Sequence, residues 1–147
     1  MSQSDAHRNL VIQVVNALVS RHPRISILTD VQQNPGDGVP PVIGGFRPDV
    51  YARKQPANSI VVAEAKTDRD LDNTHANDQI MSFINYLERF EKSSFVLAVS
   101  GCAADRAKTL MRFVHKGTHV THTRIEVFDG CDFWLLDSIG GKSWRLS

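Results

Sequence analysis

The chain has little of several features that mark specialised classes of protein. Only two of its 147 residues are cysteines, Cys102 and Cys131, which excludes a framework of several disulfides and matches no metal-finger spacing. We expect both to be partly buried thiols in a reducing cytoplasm. The 17 Lys and Arg residues nearly balance the 16 Asp and Glu residues, so the formal net charge is +1. This balance argues against binding by bulk positive charge alone, although basic residues can still be concentrated on one face.

Long apolar runs and several well-known catalytic motifs are also missing. The longest apolar-rich stretch, residues 10–19, is interrupted by Gln13 and Asn16 and is too short to span a bilayer. Since the first ten residues show no basic region followed by an apolar run, we expect no signal peptide, no membrane association and a cytoplasmic location. No glycine-rich phosphate loop, G-x-S-x-G motif or supported Cys/His pair is found, which disfavours a small-molecule α/β enzyme.

The composition and the hydrophobic pattern indicate one globular α/β domain over residues 1–147. Hydrophobic residues make up 41% and charged residues 22% of the chain, as in ordinary globular proteins. The pattern predicts helices over 5–21, 74–90 and 103–116, strands over 25–29, 46–53, 59–66, 95–100, 123–128 and 133–136, and a glycine- and proline-rich loop over 33–45. We expect a mixed central sheet flanked by helices. Its second and third strands form an antiparallel hairpin, and its fourth strand lies parallel to the third because a helix connects them.

Two carboxylates and one amine stand where this hairpin would bring them together. Glu64 and Lys66 follow four apolar residues in one strand and are two apart, so they project from the same face. Asp49 precedes Glu64 by fifteen residues across the hairpin. Two carboxylates can bind Mg²⁺, which activates a phosphodiester and its attacking water, and a lysine can stabilise the developing negative charge. On spacing alone, the alternative is a solvated Glu64–Lys66 pair with Asp49 in a turn.

The sequence Pro48-Asp49, followed by Glu64-Ala65-Lys66 in an apolar strand, resembles the PD-(D/E)XK nuclease superfamily. The predicted order αβββαβ also resembles the core of that restriction-endonuclease-like fold, over about residues 5–100. The resemblance implies a DNA endonuclease that depends on Mg²⁺, with Mn²⁺ as a substitute and no organic cofactor. It implies that Asp49, Glu64 and the backbone carbonyl of Ala65 bind the metal and that Lys66 is the catalytic lysine.

Two further points concern the helices beside this motif. The resemblance implies that Gln79, in the helix after the Glu64 strand, supports the catalytic site. Many relatives also place an acidic residue in the first helix, whereas here that helix has only Asp5 at its start, so a second metal would be weakly held. A catalytically weak or inactive module of the same fold, which binds nucleic acid or a protein, is therefore the alternative function.

A basic stripe on the third helix is the candidate surface for DNA. Lys108, Arg112 and Lys116 are four residues apart and could neutralise backbone phosphates, although an ordinary solvated helix face would look the same. Nearby histidines do not form a closed set of zinc ligands. Because a small domain cuts two strands most simply as a symmetric pair, we expect a homodimer.

Overall fold

The structure is a computed structural model, which describes residues 3–31, 38–55, 58–137 and 143–147. The described residues form three α-helices and one seven-stranded sheet. The helices are α1 (Gln3–Arg21), α2 (Thr74–Leu87) and α3 (Ala104–Gly117), and the strands are β1 (Ile25–Thr29), β2 (Val50–Lys54), β3 (Ser59–Ala65), β4 (Ser93–Ala98), β5 (Arg124–Phe128), β6 (Phe133–Leu136) and β7 (Trp144–Leu146). The strands lie side by side in chain order, β3–β4 and β4–β5 parallel and the other pairs antiparallel. The predicted α/β class, the mixed sheet, the hairpin and the parallel fourth strand are confirmed.

Helices cover both faces of the sheet because its central strands are apolar on both sides. All seven residues of β3 are buried, as expected for a strand between two layers. Val61, Ala63 and Ala65 pack towards α1, whose buried residues recur at the spacing of one helix face. Ile60 and Val62 point the other way and join the core formed with α2 and α3.

The predicted elements differ from the observed ones mainly at their ends. The strand predicted over 46–53 begins only at Val50, because Ile43 and Phe46 close a tight turn with two backbone hydrogen bonds of 2.6 and 3.0 Å. Gly44 in this turn has φ +60°, and a Cβ there would lie 3.1 Å from that of Ser82 on α2. Helix α2 ends at Leu87 and not at residue 90, and the three-residue strand β7 was not predicted. Residues 33–37 of the predicted loop lie outside the described residues.

The prediction for the two cysteines was wrong. Cys102 and Cys131 are both exposed free thiols. Cys102 lies in a short 3-10 turn before α3, and Cys131 lies in the turn between β5 and β6, so neither reaches the core.

Within the described ranges, no helix has both the length and the apolar character that crossing a membrane requires.

Candidate metal and catalytic site

Asp49 and Glu64 meet at the end of the β2–β3 hairpin. The pairing of Val50 with Ala63 places Asp49, one residue earlier, beside Glu64. The backbone N–H of Asp49 donates to Glu64 Oε1 at 3.0 Å, and the N–H of Ala65 donates to Asp49 Oδ2 at 2.9 Å. Each carboxylate therefore accepts a hydrogen bond from a backbone N–H of the segment that carries the other. This is the convergence that the spacing of fifteen residues predicts.

Lys66 and Gln79 complete the same cluster from the side of α2. Lys66 Nζ lies 3.4 Å from Glu64 Oε2 and donates a hydrogen bond to Gln79 Oε1. Gln79 belongs to the second turn of α2. The start of that helix is fixed by Asn73, whose side chain accepts a hydrogen bond of 2.7 Å from the N–H of Ala76. Lys66 is only 8% exposed, so its ammonium is confined to this pocket.

His7 of α1 also belongs to this site and was missed by sequence reasoning. Its Nε2 lies 3.0 Å from Asp49 Oδ2, so α1 contributes an imidazole to this site. The hydrogen bond to Asp49 raises the pKa of His7, although partial burial opposes this shift. No local signal marks this histidine, because it lies 42 residues from its partner along the chain.

Burial and mutual repulsion set the charges of the two acids. Burial first, and then the charge of Asp49, raise the pKa of Glu64 well above its usual value, while Lys66 opposes the rise. Burial would also raise the pKa of Asp49, but hydrogen bonds to His7 and Glu64 outweigh it and lower that pKa. Without a further cation, the pair therefore holds Asp49 ionised and favours a proton on Glu64.

The donor set fits a hard divalent cation. Asp49 and Glu64 offer carboxylate oxygens, and Ala65, between Glu64 and Lys66 in the chain, offers its backbone carbonyl oxygen. A divalent cation would favour the ionised form of Glu64. The described part of the chain contains no group of three or more His, Cys, Asp and Glu side chains arranged to hold a metal ion. Two carboxylates with a backbone oxygen and several waters are a common set for Mg²⁺, which keeps much of its hydration shell.

The basic stripe of α3 lies apart from this site. Lys108 Nζ is 4.0 Å from the centre of the Trp134 ring, and the Arg112 guanidinium is 6.0 Å from that of Trp144. These two side chains are partly buried and pack onto the last strands, while Lys116 is exposed in the last turn. Helix α3 connects the parallel strands β4 and β5. It therefore runs from the end of the sheet where Asp49 and Glu64 lie towards the opposite end of the strands. Binding of phosphates by this stripe stays a prediction.

No protein-family model, no curated protein and no solved structure matches this chain.

Proposed function

We propose that the protein is a Mg²⁺-dependent DNA endonuclease of the PD-(D/E)XK type, which hydrolyses phosphodiester bonds. One observation carries the proposal: Asp49, Glu64 and Lys66 form one cluster, in which the Asp49 N–H donates to Glu64 at 3.0 Å and Lys66 Nζ lies 3.4 Å from Glu64 Oε2. A solvated pair at the end of a strand would leave these groups exposed, whereas Glu64 is only 4% exposed. Burying ionisable groups such as Glu64 and Lys66 is costly unless they serve a site or are fully compensated.

Each side chain has a role that its position allows. Asp49, Glu64 and the carbonyl of Ala65 would hold Mg²⁺, which when bound polarises the phosphate and lowers the pKa of a coordinated water. Lys66, anchored by Gln79, places its ammonium where negative charge develops on the phosphate and can orient the attacking water. Gln79 restricts the rotamers of the long lysine side chain, so the ammonium is already oriented before the reaction.

A second candidate is a catalytically weak module of the same fold that binds nucleic acid or a protein. It is favoured by His7, which stands at Asp49 where an acid of the first helix would strengthen metal binding. Calorimetric titration with Mg²⁺ or Mn²⁺ separates the two candidates. The nuclease requires a binding site that is lost in Asp49→Asn, and the binding module predicts no such site.

The test of the nuclease proposal is cleavage of supercoiled plasmid and of branched DNA, with and without Mg²⁺. Glu64→Ala and Lys66→Ala should abolish nicking, since each removes a group that acts directly on the metal or the phosphate. Asp105→Asn, an exposed residue of α3, is the control and should cleave like the wild type. Circular dichroism must show that all variants remain folded. Full activity of either site variant on both substrates would refute the assignment.

The proposed homodimer can be tested in the same experiment. A dimer with two sites should convert plasmid to the linear form with little nicked intermediate, and should elute in gel filtration at twice the mass of one chain. A monomer that only nicks would contradict the dimer but would leave the proposed chemistry intact.

A further inference from the structure

A pocket of about 400 Å³ lies at the other end of the sheet, far from Asp49 and Glu64. It is formed by the last residue of β2, the first residues of β3, β4 and β5, and the segment after α1. Its lining consists of cationic, hydroxyl and amide side chains with one carboxylate: His22, Lys54, Gln55, Ser59, Glu91, Lys92, Ser93, Ser94, His122 and Arg124. The volume is in the range of sites that hold small organic ligands.

The register of the sheet explains why four of these side chains lie on the same face of the sheet. Lys54 pairs with Ser59 across β2 and β3, and Ser94 pairs with Arg124 across β4 and β5. Since side chains alternate along a strand, all four lie on the face that α1 covers further along the sheet. Helix α1 ends at Arg21 and does not cover this end of the sheet. The four side chains therefore form an open recess beside the end of the helix.

The positive charges of this pocket outnumber its negative charges. Lys54, Lys92 and Arg124 are opposed in the lining only by Glu91, which is exposed. The neighbouring acid Glu126 does not change this balance, because it is paired with Arg21 at 2.9 Å.

The pKa values of two groups in the pocket are lowered, first by burial and then by the neighbouring positive charges. Burial, followed by the charges of Arg124 and Arg21, lowers the pKa of Lys54. Burial, followed by the charges of Lys54 and Arg21, lowers the pKa of His22. Glu126 opposes both shifts but does not outweigh them. His122 is turned away towards Glu88, whose carboxylate lies 3.9 Å from its Nε2.

We propose that this pocket binds the phosphate group of a nucleotide, either as a free nucleotide or as part of a nucleic acid. The Lys54 ammonium and the Arg124 guanidinium supply charge-assisted donors from two sides. Between them lies Ser59, whose hydroxyl donates a long hydrogen bond of 3.4 Å to the backbone carbonyl of Lys92 and could exchange it for a phosphate oxygen. A phosphate would also relieve the repulsion among the cations, so binding and local stability are coupled.

The experiment measures binding by calorimetry and by thermal shift, without added divalent metal, so that the result does not depend on the proposed cleavage. The probes are inorganic phosphate, pyrophosphate, deoxyadenosine monophosphate and a short DNA duplex. The variants are Lys54→Gln and Arg124→Gln. The matched control is Arg53→Gln, because Arg53 is adjacent to Lys54 but points to the other face of the sheet and is exposed.

We expect each pocket variant to weaken binding by about tenfold, as for loss of one charge-assisted hydrogen bond, while Arg53→Gln binds like the wild type. Binding of the small phosphates identifies a site for free nucleotides, and a loss seen only with the duplex identifies a contact with a nucleic-acid backbone. If no probe binds, or if the two pocket variants and the control bind all probes equally, the proposal is wrong. Circular dichroism of the variants establishes that a loss of binding does not reflect unfolding.

Discussion

The two ends of the sheet handle charge in opposite ways. At one end, Glu64 and Lys66 are buried and Asp49 is half-buried beside them; backbone N–H groups and an imidazole contact the two acids, and the Gln79 amide accepts from Lys66. At the other end, Lys54 and Arg124 lie on one face with few acids nearby, and the excess of charge faces an open recess. The first end contains partners for most of its charges, and the proposed Mg²⁺ would balance the two acids. At the second end, the proposed phosphate would balance the excess of positive charge.

Beyond the alanine variants of Glu64 and Lys66, the largest effect is expected from Asp49→Asn at the acidic end. The substitution keeps the shape and an oxygen that can accept from Ala65, but it removes the negative charge that attracts a divalent cation. We expect nicking to fall by about 10³-fold, which corresponds to about 4 kcal/mol in the activation barrier. Initial rates of plasmid nicking at several Mg²⁺ concentrations measure this. A rate within a factor of three of that of Asp105→Asn would show that the acidic end is structural.

The second effect concerns the stability of the cationic end. Glu126 is only 3% exposed and pairs with Arg21, so its carboxylate stabilises the folded state against repulsion among the cations at this end. Glu126→Gln removes the negative charge beside the Arg21 guanidinium, which keeps only a hydrogen bond to Ser147 and a contact of 4.5 Å with the Phe133 ring, and should lower the free energy of unfolding by about 3 kcal/mol. Urea unfolding at neutral pH measures the change, with the exposed Asp105→Asn as control within about 0.5 kcal/mol of the wild type. Added phosphate should restore part of the loss, and equal stability of both variants would contradict this account.

A third, smaller effect distinguishes a carboxylate held by neutral donors from one held by cations. Glu88, at the end of α2, accepts hydrogen bonds from the backbone N–H groups of Thr121 and Thr123 and from their hydroxyls. Burial would raise the pKa of Glu88, but the bonds from Thr123 and Thr121 outweigh it and lower that pKa to about 2.

Because the folded-state pKa of Glu88 is depressed, its contribution to stability is present above the unfolded value of 4.5 and is lost as the pH falls towards 2. Glu88→Gln should therefore cost about 2 kcal/mol at pH 7, and less at pH 3. Urea unfolding at both pH values measures the difference, with Asp105→Asn as control. A cost that does not depend on pH would mean that the carboxylate charge contributes nothing.

The acidic end was largely predictable from the sequence because its residues are close along the chain. A hairpin has a fixed register, so Asp49, Glu64 and Lys66 converge once the two strands and their turn are recognised. Gln79 follows in the next helix, one crossover away. The predicted strands and helices around them differ from the observed ones mainly at their ends, where side-chain caps and tight turns decide the last residues.

The cationic pocket could not be predicted, because its residues come from four strands and share no spacing. Lys54 and Arg124 meet only through the order β2–β3–β4–β5, which hydrophobic patterning does not specify in register. The third helix illustrates the converse. Its basic residues have a regular spacing, but Lys108 and Arg112 pack onto tryptophans of β6 and β7, and β7 was too short to be recognised.

The smallest predicted effect is that of His7, and it tests how far the first helix participates in the acidic end. His7 contacts Asp49, so it should orient the carboxylate that we assign to the metal. Removing a hydrogen bond to a metal-binding group typically weakens metal affinity by 10–100-fold. We therefore expect His7→Phe to raise the Mg²⁺ concentration for half-maximal nicking by about tenfold, with a smaller change in the maximal rate. His119→Phe, on an exposed residue, is the matched control. A loss of maximal rate that saturating Mg²⁺ does not restore would place His7 in the chemical step, and an unchanged Mg²⁺ dependence would show that Asp49 is oriented by the backbone of Ala65 alone.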